Sequence, residues 1–494
     1  MTRTDGTRSR RIVPALAWTI AAASTTSGQG PPATAADQPA TAPAQEQTAA
    51  APATDPLAAF KTDKGLISLT KVAPEMTPVS NYAGDFWNRT TLLDDPAGWR
   101  SRLYEIGITL DAQVTQVFQG VVSGGSANGK GNWQYNGLFE ANLTLDTAKL
   151  GLWSGGLFVF TGQTSFGHAL RHEPGNLSPV NATALWPIPY EASTELMEYH
   201  LIQALPLDTV AIVGRIDPSN YLDQNSFACT SDSQFLNISM NANPLFGAFL
   251  SYSTYAAILM TKVTDEFTLA YGAWTPQTDP GDYGGDWNDF GAALYPIFKY
   301  KAFDRPGMIQ GIFAYTNKDS IDVSNPRLLP DVASGNVPTK PDNWIVEISG
   351  EQYFWVPPGA SVPQAKGGLE EYYKAATKDF AASQPGAGIF YRFSYTPEER
   401  NPYNLYASGG VGGRGVIPGR PFDRFGVGAY WLGESGDLEK QPGNLLGDEV
   451  GLEAFYNIAI TPYVQLSFDA QWINPGINSS EEAVVLGTRL NIRF

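Results

Sequence analysis

Hydrophobic and polar residues alternate along most of this chain. From Glu105 to Gln119 one parity reads Glu105, Gly107, Thr109, Asp111, Gln113, Thr115, Val117, Gln119, and the other Ile106, Ile108, Leu110, Ala112, Val114, Gln116, Phe118. A sustained period of two is that of a strand with one wet and one greasy face. Glu140, Asn142, Thr144 and Asp146 likewise alternate with Phe139, Ala141, Leu143 and Leu145, and Gln465, Ser467, Asp469 and Gln471 with Val464, Leu466, Phe468, Ala470 and Trp472. Similar runs predict strands near 208–217, 266–275, 307–316, 343–354, 387–396, 424–433 and 450–460. Turn-forming residues punctuate them, among them Gly124-Gly125, Asp279-Pro280-Gly281 and Asn474-Pro475-Gly476. The last run, with Val484, Leu486, Thr488, Leu490, Ile492 and Phe494 opposite Gly487, Arg489, Asn491 and Arg493, ends the chain on an aromatic.

After residue 23 there is no run of eighteen apolar residues, so membrane-spanning helices are excluded. Strands that hide their apolarity in alternation remain compatible with a membrane, provided that the sheet closes, because lipid satisfies no backbone N–H or C=O. The expected fold is all-β: a transmembrane antiparallel β-barrel over 81–494, with about 26 residues per strand and connection for sixteen strands. Seventeen segments qualify as candidates in the sequence. Single-chain bacterial barrels have even counts, which makes sixteen the expectation and eighteen the second choice. A barrel of that size leaves an aqueous passage. The stretches 165–195, 276–290, 317–342 and 356–386 are expected as external loops, one of them folding inward.

Composition sharpens this picture. Only 16% of the residues are charged and 12% are aromatic. The 49 acidic and 32 basic side chains give a net charge of −17, which repels polyanions and removes nucleic-acid binding as a first reading. The single cysteine, Cys229, excludes an intrachain disulfide and a cysteine zinc site and is expected as a loop thiol. His168 and His172 are spaced i, i+4, but Gly167, Pro174 and Gly175 place them in a loop, so no metal or cofactor is expected. At the N-terminus Arg3, Arg8, Arg10 and Arg11 precede a short apolar stretch, Ile12 to Ala23, the layout of an export signal over 1–23. Residues 24–80, rich in Pro and Ala, are expected to be a largely disordered linker.

Several segments resemble the carbohydrate-selective porin family OprB. They are Asp95-Pro96-Ala97-Gly98-Trp99-Arg100-Ser101-Arg102-Leu103-Tyr104-Glu105-Ile106-Gly107-Ile108; Leu145-Asp146-Thr147-Ala148-Lys149-Leu150-Gly151-Leu152-Trp153-Ser154-Gly155-Gly156; Gly214-Arg215-Ile216-Asp217; Gly419-Arg420-Pro421-Phe422-Asp423; and a C-terminal block from Glu453 through Asp469-Ala470-Gln471-Trp472 to Phe494. The resemblance implies passive diffusion of sugars, glucose-like monosaccharides above all, across the outer membrane, through a narrow barrel with charged residues, notably Arg, at the constriction. Outer-membrane lipid and lipopolysaccharide, and the barrel-assembly machinery acting through Phe494, are the expected partners. The chain is expected as a monomer or homotrimer.

Parity nominates the pore lining. Arg392 alternates with Ile389, Tyr391, Phe393 and Tyr395; Glu347 opposes Trp344, Val346 and Ile348; Arg424 precedes an outward Phe425, Val427, Ala429, Trp431 face; and Glu453, Asp469, Gln471, Arg489 and Arg493 also fall on the wet side. Arg215 and Asp217 share a parity with Ala211 and Val213, so that strand is mixed. Arg420 joins the set. Guanidinium forks suit vicinal hydroxyls, and binding must stay weak for a solute to leave. For each residue the structural alternative is a wall-to-wall ion pair. Other readings are a general or cation-preferring porin and a secreted β-rich glycoside hydrolase. The latter would draw on Asp94-Asp95, Glu370-Glu371, Glu398-Glu399 or Glu481-Glu482, but neighbours in a strand point to opposite faces and make no catalytic pair.

Overall fold

The computed structural model describes residues 86–87, 89, 91–188, 194–276, 281, 283–284, 287–358 and 385–494. The expected signal 1–23 and linker 24–80 lie outside them. A helix, α1 (Trp99–Glu105), precedes the strands. Eighteen strands follow: β1 (Ile108–Gly125), β2 (Trp133–Asp146), β3 (Gly156–Gly167), β4 (Thr194–Leu205), β5 (Thr209–Ile216), β6 (Thr254–Lys262), β7 (Phe267–Trp274), β8 (Gly291–Ala302), β9 (Arg305–Thr316), β10 (Ser320–Ile321), β11 (Thr339–Lys340), β12 (Asn343–Trp355), β13 (Gly386–Tyr395), β14 (Tyr403–Arg414), β15 (Arg424–Glu434), β16 (Glu449–Thr461), β17 (Val464–Asn474) and β18 (Glu481–Arg493). The short β10 and β11 pair with each other, and the other sixteen close a barrel in which β1 pairs with β18. No described helix is long and apolar enough to cross a membrane.

The alternation read from the sequence is the inside–outside pattern of the wall. On β13, Phe390, Arg392 and Ser394 are buried while Ile389, Phe393 and Tyr395 are exposed. On β12, Asn343, Ile345, Glu347 and Ser349 are buried while Trp344, Val346 and Ile348 are exposed. The C-terminus completes the seam: the Phe494 N–H donates to the Ala112 carbonyl at 2.8 Å, and Arg100 of α1 donates to the Phe494 carbonyl at 3.1 Å.

The two rims differ. At one, connections are as short as 206–208, 263–266, 303–304 and 462–463; at the other they include 168–193, 217–253, 275–290 and 317–342. β12 ends and β13 begins at the short-turn rim, and most of the expected loop 356–386 lies outside the described residues. Which rim a loop belongs to depends on how many strands precede it, and an odd tally of candidates leaves that parity open.

Among the described residues, two segments fold into the lumen. One, 168–188, fits the expectation that a long loop turns inward. The larger, 217–253, was not among the expected loops. It crosses the barrel from β5 and β6 to the inner faces of β13, β14 and β15. Tyr221, Phe227, Phe235, Met240, Leu245, Phe246 and Phe249 of this segment form one buried cluster with Val210, Ile212, Met260, Ala270, Tyr295, Ile297, Ile312 and Ile345 of the wall. Each fully buried side chain of this size contributes roughly 1.5–3 kcal/mol.

Candidate functional site

The crossing segment is built from local caps. Asp217, Asn237 and Asn243 each accept a backbone N–H two residues on, from Ser219, Ser239 and Leu245. Pro218 and Pro244 sit at first helical positions, and a four-residue helix, α2 (Ile238–Asn241), lies between them. Asx caps followed by proline start such turns without any strand pairing.

Polar wall residues then hold the segment. Arg392 on β13 is fully buried and donates from Nε to both Asp223 carboxylate oxygens at 2.7 and 2.6 Å. Its other nitrogens donate to the carbonyls of Met240 at 3.1 Å, Ala228 at 2.5 Å and Asn241 at 3.1 Å. Glu347 accepts from the Asn243 amide at 2.7 Å. Glu453 accepts the backbone N–H groups of Leu236 at 2.5 Å and Asn237 at 3.1 Å. Gln471 donates to the Asp469 carboxylate and to the Val180 carbonyl, both at 2.9 Å, and accepts from the Asn237 amide at 3.2 Å. Arg489 donates to the Ser231 carbonyl at 2.8 Å and the Ser467 hydroxyl at 2.7 Å.

The second segment docks on the first. Glu449 accepts the N–H groups of Leu177 and Ser178, and Gln119 donates to the Val180 carbonyl at 3.2 Å. Backbone bonds from Ala182 to Leu236 and from Ile238 to Pro179 join the two segments at 2.7 and 3.0 Å.

Most of the lining expected from parity therefore faces inward: Glu347, Arg392, Arg424, Glu453, Asp469, Gln471 and Arg489 all sit on inner faces and are buried. Arg424 is directly paired across the ladder with Arg414, and both line a small pocket with Ser226, Gln234 and Phe227. Three residues stand elsewhere. Arg215 is in register with Tyr199 and Tyr255, while the intervening face carries His200, which bonds the inward Tyr221 at 2.8 Å. Arg215 consequently lies on the outer face, as Val213 of its parity does, with its guanidinium 4.5 Å from the Tyr283 ring centre and Nε donating to Ser253. Apolar Val210 and Ile212 on the lumen side inverted the polarity that parity relied on. Asp217 is beyond the strand, capping Ser219. Arg420 is in the turn between β14 and β15, its two nitrogens on the two Asp423 oxygens at 2.8 Å each.

Sequence reading missed the partners on the crossing segment, Asp223, Asp232 and Asn243, and the anchor Glu449. The signal available was the Asn243-Pro244 and Asp217-Pro218 pairs within a stretch lacking alternation. Polar groups of the inner face concentrate on β1–β3 and β16–β18. There Gln113 donates to Glu140 at 3.2 Å, Asn491 to Thr115 at 2.8 Å, and Gln163 to Glu140 at 2.7 Å. Arg493 pairs with Asp232 of the segment at 3.6 Å. Asp111 keeps 37% of its side chain exposed, 3.7 Å from Arg100.

A search of curated proteins finds no match. Among solved structures, the high-pH form of Pseudomonas putida OprB is similar with a TM-score of 0.68 and 17% identity, covering 83% of this chain and 100% of that one. The low-pH form of the same protein has a TM-score of 0.48 at 14% identity, over 83% and 99% of the two chains. Pseudomonas aeruginosa OccK5 has a TM-score of 0.41 at 9% identity, over 78% and 98%. The first of these supports the barrel fold. The family described as carbohydrate-selective porin, OprB family, matches residues 130–494. A closed sixteen-stranded wall with a polar lumen, together with a match over most of its length, means that this chain belongs to the OprB family of carbohydrate-selective porins.

Proposed function

We propose that the chain is a passive outer-membrane channel for glucose-like monosaccharides, with the short-turn rim toward the periplasm. The observation that carries this reading is the division of the lumen by segment 217–253. The segment buries its apolar side chains against β5–β9 and β12–β16 and meets β17 and β18 only through polar groups, so that amides, hydroxyls, carboxylates and guanidinium groups concentrate on β1–β3 and β16–β18. A sugar moving along that side exchanges bonds to water for bonds to Asp111, Gln113, Asn142 and Arg493. Each exchange is close to neutral, which gives selectivity without a site tight enough to block exit. Arg392, Glu347 and Glu453 act on this passage through the segment rather than on the sugar. No coupling ion or catalytic step enters the account. Asp95 of the Asp94-Asp95 pair caps α1, Glu398-Glu399 stands in the turn between β13 and β14, Glu481-Glu482 opens β18, and Glu370-Glu371 lies outside the described residues.

The net charge of −17 favours a second reading, a cation-preferring general porin. Liposome swelling separates the two. Glucose should enter faster than amino acids of similar size or disaccharides; equal rates would leave only a general porin.

A further inference from the structure

Three glycines lie in one row across the inner wall. Gly388 on β13 pairs with Gly412 on β14, which pairs with Gly426 on β15. The row is bounded by Tyr353, opposite Gly388, and Phe455, opposite Gly426. Glycine in a strand interior weakens it and marks a place where something approaches closely. Here two aromatic residues of the crossing segment arrive. The Phe227 ring centre lies 4.8 Å from that of Tyr353, and the Phe235 ring centre 4.8 Å from that of Phe455. A Cβ on Gly388 would sit 2.7 Å from the Phe227 ring, and one on Gly426 2.6 Å from the Phe235 ring. At Gly412 it would sit 2.7 Å from the Phe227 Cβ, a contact that ring rotation cannot relieve.

We propose that this glycine-floored groove is the specificity-determining seat of the channel: it fixes how far segment 217–253 reaches across the lumen and thereby sets the aperture along the polar wall. Gly388, Gly412 and Gly426 are positioning residues that touch no solute. The inference rests on the transport reading above. Any side chain at Gly412 lifts the far end of the segment by about 1 Å before ordinary contact distance returns. Arg392, anchored in the neighbouring row, must then stretch its bonds to the Ala228 carbonyl and Asp223.

Planar-bilayer recording tests the seat. Gly412→Ala should weaken the reduction of ion current by glucose about threefold and change the single-channel conductance, because a 1 Å loss of positioning is felt directly by weak contacts. Phe227→Ala, which leaves the wall intact, should shift both quantities as well. Gly162→Ala, where an added Cβ meets nothing within 4 Å, is the control and should match wild type. Migration of unboiled protein on SDS gels reports whether each variant still forms a barrel. If Gly412→Ala does not assemble, Phe227→Ala carries the test alone. Assembled variants with wild-type conductance and glucose response would overturn the proposal. A wild-type channel indifferent to glucose, combined with altered conductance in Gly412→Ala, would instead remove the sugar reading and leave the seat standing.

Discussion

The two halves of the barrel interior are made differently. From β5 to β9 the inner face is Val210, Ile212, Met260, Ala270, Tyr295, Ile297, Ile312 and Ala314, and it is filled like the core of a soluble protein. From β16 through β18 to β3 the inner face carries Asn457, Gln465, Ser467, Asp469, Gln471, Arg489, Asn491, Thr115, Glu140, Asn142 and Thr161, with apolar Val117, Val121, Val159, Ile473, Ala483 and Val485 among them. One wall holds the crossing segment by apolar packing; the other is mostly polar and holds it through hydrogen bonds made by Gln471 and Arg489. A sixteen-stranded cylinder is wide, and packing half of it narrows the rest without changing the wall. The β13–β15 stretch between these halves does both jobs, with glycines to receive the segment and Arg392 to tie it.

Breaking the tie should have the largest effect. Arg392→Ala leaves Asp223 and Glu347 buried without their cation, a loss of about 3–5 kcal/mol for a buried pair. The crossing segment should detach, with conductance rising and discrimination between glucose and disaccharides falling about tenfold in swelling assays. Arg392→Lys, unable to reproduce the fork, should fall in between. Glu453→Ala removes the acceptor of the Leu236 and Asn237 N–H groups, about 1–3 kcal/mol of local stability for each unsatisfied donor. Hydrogen exchange should speed up at those amides, with a severalfold loss of sugar selectivity. On the polar wall, Gln113→Ala and Asn142→Ala should weaken the glucose response only about twofold each, since each removes one exchangeable hydrogen bond, and should leave the segment protected from exchange. Arg215→Ala should have the smallest effect on transport. It removes a buried guanidinium that lies over the Tyr283 ring and donates to Ser253 on the outer face, of which the cation–aromatic contact alone is worth about 0.5–2 kcal/mol, so the temperature at which unboiled protein loses its barrel migration should drop while glucose flux stays at the wild-type rate.

The wall was legible in the sequence because a membrane barrel writes its geometry as a period of two. The predicted runs at 208–217, 343–354, 387–396 and 450–460 match β5, β12, β13 and β16 within a residue or two. Arg392, Glu347 and Arg489 face inward as their parity requires. The segment that defines the passage was not legible, because Asp217 to Ser253 contains no strand, and its apolar residues answer to wall positions far away in the chain. Parity also failed at Arg215, where the lumen side is the greasy one. Alternation identifies two faces and leaves open which is wet when the interior holds a core of its own.

The central claim is that a solute traverses the polar side of a closed, half-filled barrel. Single-channel recording of the purified protein in planar bilayers, with glucose titrated into the salt solution, addresses it directly. The account predicts discrete channel steps whose current falls with glucose and saturates, and responds less to an equal concentration of sucrose. Membranes that show no discrete steps, or steps on which glucose and sucrose act alike, would contradict it.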